Sequence, residues 1–469
     1  MTNNDFTRRD FLRTSAAGVA ASTVCGGTRI LGSPTAREDG APRRPNIVYV
    51  MSDQQHWRTQ GALDPYYASH TPNLDAFADE GTLFERSFCT TPQCSPSRSS
   101  MLTGLYPHKT GVLGNVGAAG GEPLRQPTIG SMMQEGGYET AYFGKWHLGA
   151  EPIANAGWDE VDIRGRDPKT SELAVDYLSK QGRDAADKPF FMIASYLDPH
   201  DIYHLDLERD PSTDPATQLP ESWHRETFED KPSVQREFMT RDQGTKLWGK
   251  GEDAYLAYRE FYREKVGTFD EHLGRVLQSI KDAGLWDDTI VLVGSDHGDM
   301  DAYHKLIFKG PFMYDQMIRV PFMARVPEKF GGVEPGRRLD DYDIVNVDLV
   351  PTIREFAGLD EIETDGMSLR PILTGAADPP KRDFVISQYY SKQRWVNPIR
   401  TIRTAQWKFN RYIDHGDELY DLRNDPEEIV NLAGDPEYAS TERELLGLLD
   451  EWIEQNNDPF YSQETVPLA

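Results

Sequence analysis

Cys94 begins a segment whose residue types could build an anion site around a nucleophile. Residues 94–98 read CSPSR. Pro96 suits the first turn of a helix, where a missing N–H costs no hydrogen bond, and Gly104 suits the helix end. Cys94 would then lie at the positive end of the helix dipole, beside unpaired N–H groups, with Arg98 on the same face. The spacing therefore predicts a site that binds an anion.

Four apolar, strand-like runs end in residues that could complete such a site. The runs span 46–51, 140–143, 189–194 and 289–293, and the polar residues after them are Asp53 and Gln54, Lys145 and His147, Asp198 and His200, and Asp296 and His297. In open α/β sheets, ligands bind at the carboxyl ends of the strands. We therefore expect these side chains to meet at one edge of a parallel sheet.

The periodicity of the remaining chain predicts an α/β fold, with a large, mostly parallel sheet flanked by helices. Thr71 as N-cap and Pro72 at the first helical position predict a short helix that ends at Gly81. After a polar insertion that extends to about residue 250, helices are expected at 253–283, broken near Gly267, and at 348–356.

From about residue 383 the pattern changes to short alternating strands. These are expected at 385–388, 399–404, 407–412 and 418–422, followed by a helix at 441–455. The C-terminal part is therefore predicted to form a smaller antiparallel sheet with one packed helix. The expected domains are 1–36, 44–375 and 383–469.

Two of the strand ends could share a metal ion. Asp53 and Gln54, with Asp296 and His297, offer carboxylate and carbonyl oxygens to one hard cation. Lys145 and His147 stand two apart in a loop bounded by glycines, so an extended segment would point both side chains the same way. That arrangement would set a cation beside a base.

Several motifs resemble those of the type I sulfatases of the alkaline-phosphatase-like superfamily. They are CSPSR at 94–98 with the SSMLTG stretch and YPH after it, GKWHLG at 144–149, and LYDL at 419–422 with DPE and NL downstream. The resemblance implies the α/β fold, hydrolysis of sulfate esters, and oxidation of Cys94 after translation to formylglycine. It also implies that a formylglycine-generating enzyme acts on this chain.

The resemblance assigns a metal site and a catalytic set. Asp53, Gln54, Asp296 and His297, with residue 94, would hold one divalent cation, Ca²⁺ in preference to Mg²⁺. Gln54 stands where many sulfatases have Asp, and His297 where many have Asn. Because imidazole is a softer ligand than an amide, His297 weakens the choice of Ca²⁺.

The catalytic roles implied by the family begin with hydrated formylglycine as the nucleophile toward sulfur. Arg98, Lys145 and Lys309 would neutralise the sulfate oxygens together with the metal. His200, alone or with Lys309, would protonate the departing alcohol, and His147 would then deprotonate the second hydroxyl and expel sulfate. His204 competes with His200 for its role, and Lys305 competes with Lys309.

Composition limits the class of partner and the compartment. The net charge of −26 over 469 residues argues against nucleic acid or an anionic membrane as a partner. Three cysteines cannot form a disulfide framework in so long a chain, and Cys89 is expected to be a small buried residue. After the N-terminal stretch, no later run is long and apolar enough for a membrane span.

The N-terminus is typical of an export signal. Arg8 and Arg9 precede Phe11 and Leu12, and a weakly apolar stretch rich in Ala, Ser and Gly follows. The sequence therefore predicts a twin-arginine signal over residues 1–36 and an exported protein, periplasmic or extracellular. Export in the folded state would require oxidation of Cys94 in the cytoplasm.

Two other functions compete with the sulfatase hypothesis. Phosphonate monoester hydrolases of the same superfamily also use the Cys-x-Pro-x-Arg motif, and a binding protein for sulfated glycans would need no chemistry. An exported hydrolase favours sulfate esters of an extracellular carbohydrate as the substrate. Candidate sugar-contacting residues are His56, Trp57, Arg58, Arg164, Arg166, Tyr203, His204, Arg394 and Trp395.

Overall fold

The computed structural model describes residues 44–149, 156–184, 188–206 and 214–468. The predicted export segment, residues 1–36, lies outside these ranges. None of the described helices is both long enough and apolar enough to cross a membrane.

Strands of the described chain form one large sheet, one small pair and a separate C-terminal sheet. Their bounds are β1 Asn46–Asp53, β2 Thr82–Phe84, β3 Ser87–Phe88, β4 Glu139–Gly144, β5 Glu160–Asp162, β6 Phe190–Pro199, β7 Thr289–Ser295, β8 Phe322–Arg325, β9 Arg337–Leu339, β10 Ile344–Val345, β11 Val385–Lys392, β12 Trp395–Arg403, β13 Trp407–Tyr412 and β14 Asp417–Asp421.

The eight-stranded sheet has the order β5-β4-β6-β1-β7-β8-β2-β9. The first five strands are parallel, and β8 runs antiparallel to both β7 and β2. β3 and β10 form a separate parallel pair. The predicted large, mostly parallel sheet is confirmed.

Helices surround this sheet and the C-terminal sheet. Their bounds are α1 Pro72–Glu80, α2 Cys94–Thr103, α3 Pro107–Thr110, α4 Ile129–Glu135, α5 Asp167–Asp184, α6 Glu221–Arg225, α7 Ser233–Arg241, α8 Glu252–Asp282, α9 Asp315–Ile318, α10 Leu349–Phe356, α11 Arg370–Leu373 and α12 Ala439–Gln455.

Residues of β1 alternate between the two hydrophobic layers of the main sheet. Val48 and Val50 pack with α1, α5 and α8, whereas Ile47, Tyr49 and Met51 pack with α2, α4 and α10. β1 is therefore buried on both faces, which explains why its sequence is a continuous apolar run.

One local prediction about a helix is wrong, and another holds only in part. α8 runs unbroken through Gly267, where a Cβ atom would approach His70 to 3.3 Å, so this glycine allows close packing and does not break the helix. α1 begins at Pro72 with Thr71 at the N-cap position, as predicted, but the Thr71 side chain makes no capping hydrogen bond. The Thr71 hydroxyl donates to the Tyr67 carbonyl instead.

The predicted polar insertion also contains more structure than its composition suggests. Within its described part, α6 and α7 pack against a large hydrophobic cluster that includes Val234 and Phe238.

The C-terminal sheet has the antiparallel order β11-β12-β13-β14. Leu445, Leu449 and Ile453 of α12 pack against its apolar face. The predicted antiparallel sheet with one packed helix is therefore confirmed, although β11 and β12 form a longer hairpin than expected, joined by residues 393–394. The domain boundaries remain a prediction.

The parallel strands deliver polar residues to one edge of the sheet. β1 ends at Asp53, β4 is followed by Lys145, β6 by His200 and β7 by Asp296. Because these strands are neighbours in the order β4-β6-β1-β7, their carboxyl ends lie side by side.

Gly144, at the end of β4, permits the approach of β6 to this edge. Its φ is +101°, and a Cβ atom would lie 1.9 Å from the Ser195 carbonyl oxygen.

We predict that Gly144→Ala lowers the free energy of unfolding by roughly 3 kcal/mol or more, because the backbone must move to admit the new methyl group. Gly111→Ala is the control: it has φ +74° with no atom within 4 Å, and should cost about 1 kcal/mol. Chemical denaturation of both variants measures this, and equal losses would contradict the prediction.

Candidate active site

α2 places Cys94 at the sheet edge as its first residue. Gln93 before it is extended, and the helix ends at Gly104 in the left-handed region with φ +74°. All ten residues of this helix are buried, so polar side chains on it need partners inside the protein. The partners of Arg98 define the centre of the site.

Arg98 joins four neighbouring strands, β1, β4, β6 and β7, through four hydrogen bonds. Its Nε donates to Asp296 Oδ2 and one terminal nitrogen donates to Asp53 Oδ2, both at 2.8 Å. The other terminal nitrogen donates to the Lys145 carbonyl at 2.6 Å and the Ser195 hydroxyl at 2.9 Å. The sequence predicted that Arg98 would hold sulfate; the structure instead uses most of its donors to hold two carboxylates and the loop after β4.

The two carboxylates are fully buried. Asp53 and Asp296 are both 0% exposed, and burial together with the Asp53 charge raises the pKa of Asp296 above its usual value. Lys145 Nζ lies 2.5 Å from Asp53 Oδ2. Two buried anions beside each other are costly unless cations compensate them, so this position favours positive charge.

Gln54 adopts an uncommon backbone conformation beside the carboxylates. Its φ is +67°, and the Tyr262 hydroxyl donates to its carbonyl oxygen at 2.7 Å. Its amide nitrogen donates to Asp299 Oδ2 at 2.7 Å, while Lys309 donates to its Oε1. Non-glycine residues in this region cost about 1–3 kcal/mol and cluster at functional sites. The amide oxygen of Gln54 is thereby fixed toward Lys309.

Cys94 is closed off from solvent and surrounded by charge. Its Sγ lies 3.2 Å from His297 Nε2 and 3.5 Å from Lys145 Nζ. Burial alone would raise the pKa of the thiol, but the charges of Lys145, Lys309 and His297 hold this pKa well below its usual value. By contrast, Cys89 is buried as predicted, and burial raises the pKa of its thiol.

The loop after Gly144 changes direction at His147, so that the side chains of Lys145 and His147 both lie near Cys94. His147 has φ +61°, so the segment is not extended as the sequence reasoning assumed. The Ser95 hydroxyl donates to the His147 carbonyl at 2.6 Å, which ties the loop to the start of α2. His147 Nδ1 is buried and has no hydrogen-bond partner within the described chain.

The structure separates the competing histidines and lysines. His200 and Lys309 line one cavity, whereas His204 is 70% exposed and Lys305 donates to the Glu226 carbonyl at 2.7 Å. Burial, with the charges of Lys309 and Lys145, lowers the pKa of His200 to about 4. The imidazole of His200 is therefore uncharged at neutral pH.

This cavity has a volume of about 280 Å³. Its lining residues are Gln93, Asn115, Val116, Ala118, His147, His200, Tyr203, Gln243, Lys309, Lys392 and Gln393. Sequence reasoning missed Lys392 and Gln393, which come from the β11–β12 hairpin. The nearby Arg394 and Trp395, proposed from the sequence, do not line it; Trp395 is 3% exposed within the core.

Most other candidate sugar contacts lie elsewhere. His56 is buried 3.3 Å from Asp301, Trp57 stacks under Arg319 at 3.5 Å, and Arg58 pairs with Asp64. Arg164, Arg166 and His204 are exposed on the surface. Tyr203 does line the cavity, with its ring stacked 4.1 Å from that of Phe308.

Comparison with known proteins defines the class of this site. The sulfatase family model matches residues 45–359, and a model of the C-terminal part of N-sulphoglucosamine sulphohydrolase matches residues 304–455. The chain therefore belongs to the sulfatase family, whose members hydrolyse sulfuric esters, and the resemblance seen in its motifs is confirmed.

Individual relatives align with nearly the whole chain. A Delta 4,5-hexuronate-2-O-sulfatase of Bacteroides thetaiotaomicron is 30% identical over 451 residues, which cover 90% of this chain and 91% of the relative. A solved structure of a 2-O GAG sulfatase superposes with a TM-score of 0.79 at 27% identity, over 91% of this chain and 95% of that one. A solved sulfatase-like structure from B. thetaiotaomicron gives a TM-score of 0.82 at 28% identity, over 91% and 96%.

Sulfatases generally use a metal ion, and the residues present here fit one. The ligand atoms of Asp53, Cys94, Asp296 and His297 all lie within 4.8 Å of one another. Two buried carboxylates, with the fixed amide oxygen of Gln54 nearby, are the donor set of a hard divalent cation.

We predict that a divalent cation stabilises the protein through this group. Ca²⁺ or Mg²⁺ at 100 times its dissociation constant should add about 2.7 kcal/mol to the free energy of unfolding, seen as a higher melting temperature that a chelator reverses. Asp296→Asn should reduce the shift. Asp287→Asn, at a side chain that is 85% exposed, should retain it. An equal shift in both variants would place the ion elsewhere.

Proposed function

We propose that this sulfatase removes sulfate esters from a sulfated carbohydrate. The observation that carries the proposal is the convergence of Cys94, two buried carboxylates and Lys145 in one buried cluster, with Lys309 acting on the same thiol from the wall of the neighbouring cavity. Amide side chains in the cavity wall suit sugar hydroxyls, and two of the similar proteins carry the names of a hexuronate sulfatase and a GAG sulfatase.

A divalent cation, Ca²⁺ in preference to Mg²⁺, would be held by Asp53, Gln54, Asp296 and His297 together with residue 94, and would act as a Lewis acid. Residue 94, oxidised to formylglycine and hydrated, would supply the nucleophile. Arg98 fixes the carboxylates in place, which is a positioning role. Lys145 lies beside Asp53 and Lys309 lies beside Gln54. The positive charges of the two lysines would neutralise sulfate oxygens bound between them.

His147 and His200 serve two different proton transfers: His147 acts at position 94, and His200 acts at the leaving oxygen. The His147 side chain interacts with that of Cys94, and its Nδ1 is free of partners within the described chain, so the imidazole can take a proton from position 94 and release sulfate. His200, with its pKa lowered to about 4, donates to the leaving oxygen only once a bound sulfate offsets the nearby lysine charges. Lys309 beside it is the second proton donor.

Maturation of the site must precede folding. Cys94 is 0% exposed, so an enzyme that generates formylglycine can reach this residue only before the chain closes around it. We propose that residues 1–36, with Arg8 and Arg9, then direct the folded protein to the twin-arginine export machinery. The site of action would be periplasmic or extracellular.

A panel of sulfated mono-, oligo- and polysaccharides tests the proposed function. We expect sulfate release from at least one saccharide, with formylglycine at position 94 detected by mass spectrometry. Cys94→Ala should release none, whereas Cys89→Ala should retain activity because that thiol lies outside the site. Faster hydrolysis of a matched phosphate or phosphonate ester would favour the competing function, and no turnover would contradict both.

The role of His200 predicts a dependence on the leaving group. His200→Ala should lower kcat/KM for a saccharide sulfate by about 10²–10⁴-fold, because an alkoxide leaves poorly without a proton. For an aryl sulfate with an acidic phenol the loss should be much smaller. His204→Ala is the matched control and should change neither rate. Equal losses of His200→Ala on both substrates would rule out this role.

A further inference from the structure

One part of the cavity wall is built by the tip of the β11–β12 hairpin, through Lys392 and Gln393. Gln393 accepts a hydrogen bond from the Ala119 N–H at 2.7 Å, and the Ser391 hydroxyl donates to the Ala119 carbonyl at 2.6 Å. Gln93, next to Cys94, donates through its amide to the Ser391 carbonyl at 2.5 Å. The hairpin tip is therefore fixed to the segment that begins α2, and Lys392 between these contacts is held at the cavity.

Lys392 is a buried cation in this wall. Its side chain is 10% exposed, and its Nζ lies 2.6 Å from Asp242 Oδ2 and 3.3 Å from the Lys309 carbonyl oxygen. The Phe238 ring lies 4.1 Å away. An ammonium group has three N–H donors, and Asp242 Oδ2 and the Lys309 carbonyl oxygen can accept from at most two of them. One donor of Lys392 is left for a ligand.

The cavity lining has an excess of positive charge. It includes Lys309 and Lys392, and none of its described lining residues is Asp or Glu, although the chain as a whole has a net charge of −26. Burial, and secondarily the charge of Lys309, lowers the pKa of Lys392 to about 8 although Asp242 opposes the shift. A buried cation that Asp242 does not fully compensate gains from a second anion.

A neutral acceptor beside this cation points to a hydroxylated ligand. Gln93 is 3% exposed, and its Oε1 has no hydrogen-bond partner within the described chain. An unpartnered buried acceptor costs about 1–3 kcal/mol, which a ligand hydroxyl would recover. The wall thus offers one cation and one acceptor close to the sulfate-binding lysine.

We propose that the cavity recognises a second anionic group of the saccharide, a carboxylate or a further sulfate, through Lys392, while Lys309 serves the sulfate that is cleaved. This inference rests on the proposed function, since it concerns the leaving saccharide of that reaction. It makes Lys392 a specificity-determining residue and assigns the substrate to polyanionic glycans.

The test uses the saccharide that the panel identifies as the best substrate, prepared in three forms. One form carries a single sulfate ester, the second adds a carboxylate on the sulfated or adjoining sugar, and the third adds a second sulfate there. The readout is the ratio of kcat/KM between each dianionic form and the monoanionic form. It is measured for the wild type, Lys392→Met, Lys392→Arg and the exposed control Lys250→Met.

We expect a wild-type ratio of roughly 10–100 for at least one dianionic form, since a hydrogen bond to a charged group contributes about 1.5–3 kcal/mol. Lys392→Met should bring that ratio close to one, while Lys392→Arg and Lys250→Met should keep most of it. The dianionic form with the larger ratio shows whether Lys392 binds a carboxylate or a second sulfate.

A wild-type ratio near one in both arms would overturn the inference, whether or not the variants fold. So would a Lys392→Met enzyme that keeps the wild-type ratio. Absence of sulfate release from the whole panel is a different outcome, because it contradicts the proposed function before Lys392 is examined.

Discussion

The bridge that Arg98 makes between Asp53 and Asp296 is the constraint on which the site depends. One guanidinium, delivered by α2, fixes the ends of two adjacent strands and the loop after a third. Breaking a buried ion pair by removing one partner costs about 3–5 kcal/mol. Because both carboxylates lie in a dry environment, their geometry is set before any ligand arrives, and the nucleophile position next to them inherits that rigidity.

The sequence predicted the sheet edge well, for a physical reason. β1, β4, β6 and β7 are parallel neighbours, so a polar residue at each strand end must lie near the others once the strands pair. Apolar runs followed by Asp53, Lys145, His200 and Asp296 carried that information without any tertiary knowledge. Likewise, the resemblance assigned Lys309 to the site with Lys305 as its competitor, and the structure places Lys309 beside Gln54.

What the sequence did not predict depends on contacts between distant segments. Gly267 resembles a helix break, but its role is to accept His70 against α8. Arg98 resembles a sulfate ligand, but the pairing of β1 with β7 turns two carboxylates toward it. Lys392 carried no signal at all, because only the docking of a hairpin from the C-terminal sheet onto residues 93 and 119 brings it to the cavity.

Because the hairpin docks from another sheet, the residues of the cavity wall can change independently of the residues of the catalytic centre. The groups around Cys94 come from the main sheet and α2, whereas Lys392 and Gln393 in the cavity wall come from a hairpin of the C-terminal sheet. Loops tolerate substitution and insertion far better than buried strands do. Substitutions at the hairpin tip could therefore change which glycan is bound while every residue of the sulfate-cleaving centre stays the same. Substrate specificity and catalysis would then evolve on separate parts of one chain.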